Sequence, residues 1–298
     1  MVDLNKSQTG TQIPVQTREM ELSDMDSLMK LKNAEGWNQT ENDWELLIQY
    51  KESVNLVAVQ DDRIVGTVTA INYANKVAWI GMMLVDKEFR GRGIGKLLLN
   101  EAILKLKNCA SIKLDATPTG RPVYLKLGFL DECTLYRMIH PSVSEIPLRT
   151  GSVQAVQAMP EDLPELARFD EAVFGADRTT LIYHLYKNYP ELAWLIREEN
   201  KVVGFCLGRR GTNFTQIGPV NASSDKVVKS LIRSAFNSLT GKAVVVDIQG
   251  TKTNIIQWLE AYGCGFATQR PFSRMYLHSN PHPGIIENQY MMCGPELG

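Results

Sequence analysis

The stretch Met83-Leu-Val-Asp-Lys-Glu-Phe-Arg-Gly-Arg-Gly-Ile-Gly-Lys96 joins an apolar run to a glycine-rich turn, and the turn opens a helical pattern. Glycines let backbone approach a ligand closely and take conformations that other residues avoid. A helix start leaves several N–H groups without partners and carries the positive end of the helix dipole. Together these features suit an anion such as a pyrophosphate. Arg90, Arg92 and Lys96 add positive charge at the mouth. The turn is not a P-loop, because GxxxxGK[ST] is absent, and a GxGxxG fingerprint would need glycine where Lys96 stands.

Working outward, the chain repeats itself. Residues 128–138 read GFLDECTLYRM and residues 265–275 read GFATQRPFSRM, an offset of 137. The same offset links Ile80-Gly81 to Ile217-Gly218. An offset of 138 links Asp24, Met25, Leu28 and Leu31 to Asp162, Leu163, Leu166 and Phe169, and Gly66 to Gly204. Matches in one order at a near-constant offset indicate two copies of one fold. We expect a loose tail over 1–14, a first domain over 15–141, a linker over 142–151 in the Pro-, Ser- and Gly-bearing PSVSEIPLRTGS, and a second domain over 152–298.

Within the first copy the patterns predict a strand at 15–19, a helix from Asp24 to Asn33 and a helix over 38–50 capped by Thr40. Strands follow at VNLVAVQ, RIVGTVTAINY and VAWIGMMLV, then a helix over 93–107, the strand SIKLDAT, the short helix PVYLKLG, and CTLYRMI as the strand that closes the unit. Strands and helices mix without strict alternation. The fold class is therefore α+β, two tandem domains, each a mixed, mostly antiparallel sheet flanked by helices.

Composition narrows the function. Hydrophobic residues are 44% and charged residues 22%, enough apolar mass for a packed core. Thirty-two basic against 33 acidic residues leave a net charge of −1, so no general pull toward nucleic acid or anionic membrane follows. Five dispersed cysteines suggest neither a disulfide framework nor a thiolate zinc site, and the four histidines form no metal set. No apolar run reaches the roughly 18 residues of a membrane helix. The expectation is a soluble cytoplasmic protein.

Arg90-x-x-Gly93-x-Gly95 after an apolar strand, followed downstream by Tyr124-Leu-Lys-Leu-Gly128-Phe129, resembles the acetyl-CoA signature of the GCN5-related N-acetyltransferase (GNAT) superfamily. The chain as a whole resembles tandem members whose first half carries GWNQTxxDW and DATPxGRPxYxxLGF. The resemblance implies that the backbone of Met83, Leu84 and Val85 pairs with the pantetheine arm. It implies that Arg90, Gly91, Arg92, Gly93, Ile94, Gly95 and Lys96 hold the pyrophosphate. Tyr124 matches the tyrosine that protonates the departing thiolate, a role open to a phenol near its ordinary pKa of about 10. Thr117 stands where many members place an asparagine against the pantetheine arm.

The family's base position falls on Gly81, which has no side chain. An amine must lose a proton before it attacks a thioester. Asp115 is the candidate base, with Glu35, Glu41 and Asp43 as others. Trp37, Asn38 and Gln39 lie in the segment that lines the acceptor pocket in this superfamily. Arg121 could meet an acidic substrate group.

In the second copy, position 124 maps to Ala261, and positions 90–96 map to VVKSLIR at 227–233, which lacks glycine. This copy is expected to keep the fold without the CoA motif and to cover the acceptor pocket, with Asp170, Arg178, Arg209 and Arg210 as polar contributions. The ending, NQYMMCGPELG, reads as a last strand and a turn that packs back on the protein. The implied function is transfer of an acetyl group from acetyl-CoA to a primary amine, in a ternary complex and without a metal. The alternative is a non-catalytic acyl-CoA sensor.

Overall fold

The computed structural model describes residues 14–147, 153–261 and 265–298. The first half runs β1 (Gln16–Glu19), α1 (Met25–Ala34), α2 (Glu41–Gln49), β2 (Val54–Gln60), β3 (Arg63–Tyr73), β4 (Val77–Val85), α3 (Ile94–Lys105), β5 (Ser111–Ala116), α4 (Arg121–Lys126) and β6 (Leu130–His140). The second half runs β7 (Val156–Gln157), α5 (Leu163–Phe174), α6 (Thr179–Asn188), β8 (Trp194–Glu198), β9 (Lys201–Arg210), β10 (Thr215–Ala222), α7 (Asp225–Asn237), β11 (Val244–Gln249), α8 (Thr253–Ala261) and β12 (Ala267–His278), then adds β13 (Gln289–Met291). The repeated order of elements matches the repeat in the sequence.

Local chemistry explains most boundaries. Thr40 and Asp43 form a reciprocal cap at the start of α2, with the Thr40 N–H donating to Asp43 Oδ2 at 2.6 Å. Gly175, in a left-handed conformation, closes α5. Leu28 and Leu31 of α1 and Trp44 and Leu47 of α2 are buried, each side chain contributing about 1.5–3 kcal/mol by leaving water.

Among the described residues, thirteen strands form one sheet in the order β1-β2-β3-β4-β5-β12-β6-β11-β13-β10-β9-β8-β7. This corrects the expectation that CTLYRMI closes its own unit. β12, from the second half, pairs with β5 of the first, while β6 pairs with β11 of the second. The two exchanged strands pair with each other, and Leu135 faces its own repeat equivalent, Phe272. A pseudo-twofold axis therefore passes through that pair. The hydrophobic pattern cannot distinguish the two closing edges, because β6 and β12 carry the same Gly-Phe to Arg-Met frame.

Helices α1, α2, α5 and α6 share one core on one face of the sheet, with Leu28, Trp44, Leu166, Leu181 and Ile182 in a single cluster. α3 covers the opposite face over β2 to β5, and α7 and α8 cover their own part of the second half. The expected 1–14 tail lies outside the described residues save residue 14. Of the 142–151 linker, residues 142–147 are described, and Val143 and Ile146 are buried beneath α7. Among the described residues, no helix is long and apolar enough to cross a membrane.

Candidate functional site

β4 and β5 run parallel and pair only from Val77 with Ser111 to Ile80 with Leu114. Beyond that point they separate. Met82, at a φ of 44°, sits in a bulge against β3, and Thr67 Oγ1 donates to its carbonyl at 2.7 Å. Bulges sharpen local twist and re-aim a strand. Here the bulge lies where Gly81 to Val85 turn away from β5, and Met83, Leu84 and Val85 are left without pairing on that side among the described residues.

The second half has the same separation with a different outcome. β10 and β11 pair only at Thr215–Val244 and Gln216–Val245. β13 lies in the gap between them, with Met291 opposite both Val220 and Ile248. The protein's own C-terminal strand thus completes the second cleft, and among the described residues no strand enters the first.

The helix that follows each gap differs as well. Gly93, at a φ of 82°, is the N-cap of α3 and offers no side-chain cap. Gly91 is also left-handed, and a Cβ at either glycine would meet nothing within 4 Å. It is the backbone conformation, and not space, that calls for glycine at these two positions. Gly95 lies over Val85 and Met83, and Ile94 is buried. In the second half, Ser224 caps α7 through its hydroxyl, which accepts from the Val227 N–H. The α3 start therefore keeps its N–H groups available to an anion, whereas the α7 start satisfies one internally.

The basic residues of the turn are unequal. Arg90 is held by Glu35 at 2.6 Å and donates to the Val85 carbonyl. Arg92 stacks on Phe89 and donates to the Glu88 carbonyl. Lys96 is exposed and makes no ion pair among the described residues. A cleft of about 450 Å³ lies beside this turn between α1 and the ends of β3 and β4, lined by Lys30, Glu35, Arg63, Leu84 and Lys87 among others.

Tyr124 stands on α4, edge-on to Phe129, and packs against the cluster that also receives Met83 and Val85. Burial pushes its phenol up to about 12, and the hydroxyl bonds no protein group among the described residues. Thr117 Oγ1 accepts from the Gly120 N–H at 3.1 Å and so shapes the turn before α4. Arg121 pairs with Asp131.

Asp115 is engaged elsewhere. Both its oxygens accept from Arg274 of the exchanged strand β12, at 2.9 and 3.0 Å, in a buried pair. Its counterpart in the second half, Asp247, binds Arg137 of β6 in the same bidentate way at 2.7 Å. Arg137 and Arg274 are repeat equivalents. A contact made identically in the half without a glycine turn belongs to the strand exchange, so Asp115 does not fit the expected base role. Glu35 serves Arg90 and Lys87.

The 36–40 loop meets the second half. Asn38 Oδ1 accepts from the N–H groups of Asn213 and Phe214, its Nδ2 donates to the Phe214 carbonyl at 3.0 Å, and its own carbonyl accepts from Thr212 N–H. Asn38, expected to touch substrate, thus spends its side-chain oxygen and one amide N–H in pinning the loop to the β9–β10 turn. Gln39 keeps a buried side-chain oxygen without a partner, and Trp37 packs at the edge of the shared core.

Three buried charges reach across this junction: Asp43 of α2, Arg209 of β9 and Glu296 beyond β13, with Arg209 bridging the two carboxylates. The sequence reading included Asp43 and Arg209 as candidates but missed Glu296. Its only signal was the glycine at 81: a Cβ there would lie 2.6 Å from Glu296 Cα and Cβ. Asp170 and Arg178 form a second buried pair, and Arg178 also holds the Gly298 carbonyl, while Arg210 pairs with Glu191 at the surface. Among the described residues no three His, Cys, Asp or Glu side chains gather as a metal set.

A splayed parallel strand pair, a glycine-rich helix start and a half-buried phenol thus lie together in the first half. Residues 22–129 match the acetyltransferase (GNAT) family model and residues 166–291 match the acetyltransferase (GNAT) domain model. The two matches together span most of the chain, which carries two GNAT domains and belongs to that superfamily of acyltransferases. Among curated proteins, the chain is similar to a holothin acyltransferase from a Pseudoalteromonas species, 25% identical over 233 residues and covering 77% of each chain. It is also similar to the uncharacterized N-acetyltransferase YitH of Bacillus subtilis, 25% identical over 206 residues, covering 69% of this chain and 72% of YitH. A solved structure from Pyrococcus horikoshii, assigned to the acetyltransferases, shares the fold with a TM-score of 0.78 at 23% identity, over 95% of this chain and 96% of its own.

Proposed function

We propose that the protein transfers an acetyl group from acetyl-CoA to a small-molecule primary amine by direct attack in a ternary complex, at one site in the first half. The carrying observation is the contrast between the two clefts. β13 completes the β10–β11 gap, while the β4–β5 gap presents the unpaired backbone of Met83 to Val85 beside an uncapped α3. An extended pantetheine arm would pair there as a strand does, and the pyrophosphate would meet the N–H groups of 91–96. A backbone N–H beside the thioester would polarise its carbonyl. Lys96 is the freest cation at the mouth. Arg90 and Arg92 act chiefly by shaping the turn.

Tyr124 is the proposed acid that protonates the departing thiolate. Its upward shift keeps the proton on the phenol until a thiolate forms nearby. Residues 15–141 supply this chemistry. Residues 152–298 supply the exchanged strand β12 and the turn that holds the acceptor loop through Asn38. Four free cysteines among the described residues suit a reducing cytoplasm.

Calorimetric titration with acetyl-CoA tests the reading. One site per chain, abolished in Gly93→Glu, is the expected result. Two sites per chain, or none at millimolar ligand, would overturn it. Release of CoA thiol across a panel of primary amines then identifies the acceptor.

A further inference from the structure

The tail after β13 crosses the sheet at the two glycines that the sequence repeat aligns. Met292 lies against Gly218 and Glu296 lies against Gly81, each so close that no Cβ fits. The tail is firmly held. Trp79 Nε1 donates to the Pro295 carbonyl at 3.0 Å, and the Tyr73 hydroxyl to the Leu297 carbonyl at 2.8 Å. The tail therefore brings Glu296 Cα and Cβ against Gly81, the first residue of β4 beyond its pairing with β5, and the carboxylate turns toward Arg209.

We propose that Glu296 is the proton acceptor for the incoming amine, delivered to the first-half site by the C-terminal tail and held there by Arg209. The inference rests on the acetyl-transfer reading above. Glu296 Oε1 accepts from Arg209, while Oε2 is buried and has no hydrogen-bond partner. An unpaired buried carboxylate oxygen is costly, and a substrate ammonium would satisfy it. Gln39 Oε1 and Arg209 Nε, also buried and unpartnered, offer further polar contacts at the same junction. Asp115 has no such free oxygen.

The groups around Glu296 set its acidity. Burial pushes its carboxyl up, and Asp43 of α2 adds to the rise; Arg209 of β9, the Glu296 backbone N–H and Arg137 of β6 oppose it. Cys293 of the tail is a thiol whose own pKa burial also raises. His184 of α6 and Lys32 of α1 stand beyond, each coupled to Asp43. A raised carboxyl is a better base once ionised, and it loses that role as pH falls through its pKa.

In the proposed step the ammonium gives one proton to Glu296 Oε2. The freed amine attacks the thioester carbon, the C–N bond forms and the C–S bond breaks. The thiolate takes a proton from Tyr124. The second proton lost by nitrogen restores Tyr124, and the proton on Glu296 passes to solvent, so one proton is released per acetyl group.

The test uses the full chain labelled with [δ-13C]glutamate, with E296Q and E296D each identifying the Glu296 carbon by its absence. We expect that carbon to titrate above the ordinary glutamate range. Its resonance should shift on adding acetyl-CoA and not on adding desulfo-CoA, which has no thioester. CoA release from acetyl-CoA, with 2-phenylethylamine or with water alone as acceptor, should fall about 100-fold in E296Q. The acidic limb of its pH profile should vanish, while calorimetric affinity for acetyl-CoA changes less than about twofold. E296D should keep the acidic limb at a reduced rate. A Glu296 carbon indifferent to acetyl-CoA, or an E296Q protein with the wild-type rate and acidic limb, overturns the proposal. Absence of acetyl-CoA binding in the wild type overturns the cofactor reading instead.

Discussion

Replacing Asp115 by asparagine separates two roles that a carboxylate on β5 could have. Its two oxygens hold the Arg274 guanidinium at 2.9 and 3.0 Å, and the side chains are 4% and 1% exposed. Asparagine cannot carry the charge and has one acceptor oxygen where Asp115 has two, so a guanidinium stays buried without its counter-ion. Breaking a buried pair in this way costs about 3–5 kcal/mol. At roughly 2–4 °C per kcal/mol, the melting temperature should drop by about 6 °C or more. Asp247→Asn is the internal control. It breaks the equivalent bidentate contact to Arg137 at 2.7 Å, in the half proposed to lack chemistry. Calorimetric melting of both variants should therefore give similar losses. Turnover per folded molecule in Asp115→Asn, measured well below its midpoint, should remain within a few-fold of wild type. An Asp115→Asn protein that melts like wild type but has lost turnover would refute the assignment of Asp115 to the strand exchange, and would restore it as the base.

Other outcomes follow from the same geometry. Gly93→Glu places a side chain and a negative charge at a left-handed position facing the anion site; acetyl-CoA binding by calorimetry should fall at least 100-fold, about 2.7 kcal/mol. Tyr124→Phe should lower the rate of CoA release by about 10²-fold with acetyl-CoA affinity unchanged. Because burial holds the Tyr124 phenol at about 12, the alkaline limb arising from loss of its proton should be absent at the ordinary phenol value of 10.0, and a limb there that disappears in Tyr124→Phe would contradict the placement. Asn38→Ala removes three side-chain hydrogen bonds to the β9–β10 turn, and should cost about 2–3 kcal/mol in denaturant unfolding at near 1 kcal/mol per bond. Wild-type stability would show that the two halves do not depend on this loop.

The repeated motifs made the two-copy α+β organisation legible, because each copy's strands and helices obey local periodicity. VNLVAVQ, RIVGTVTAINY and VAWIGMMLV occupy β2, β3 and β4 without a residue's error. Thr40 caps α2 as its side-chain chemistry requires. The glycine turn was legible for the same reason: left-handed backbone at Gly91 and Gly93 is a property of the residue itself. The bonds of Asn38 to the β9–β10 turn were not legible, because a side chain that binds substrate and one that binds a distant turn look alike in sequence. Only the position of residues 212–214 distinguishes them.

By itself, then, the sequence determined the elements of each half, and the glycine-rich turn that the first half has and the second lacks. Those features depend on hydrophobic period, capping and backbone preference, all of which act within a few residues. Tertiary structure decided how the two halves combine. β6 and β12 change places because two equivalent sheet edges accept either strand, and the buried Arg137–Asp247 and Arg274–Asp115 pairs lock the exchange. It also decided that β13 completes one cleft and that the tail brings Glu296 to Gly81, a meeting of residues 215 positions apart. No local pattern encodes such a contact, because it forms only once the sheet has brought the two glycines under one strand of chain.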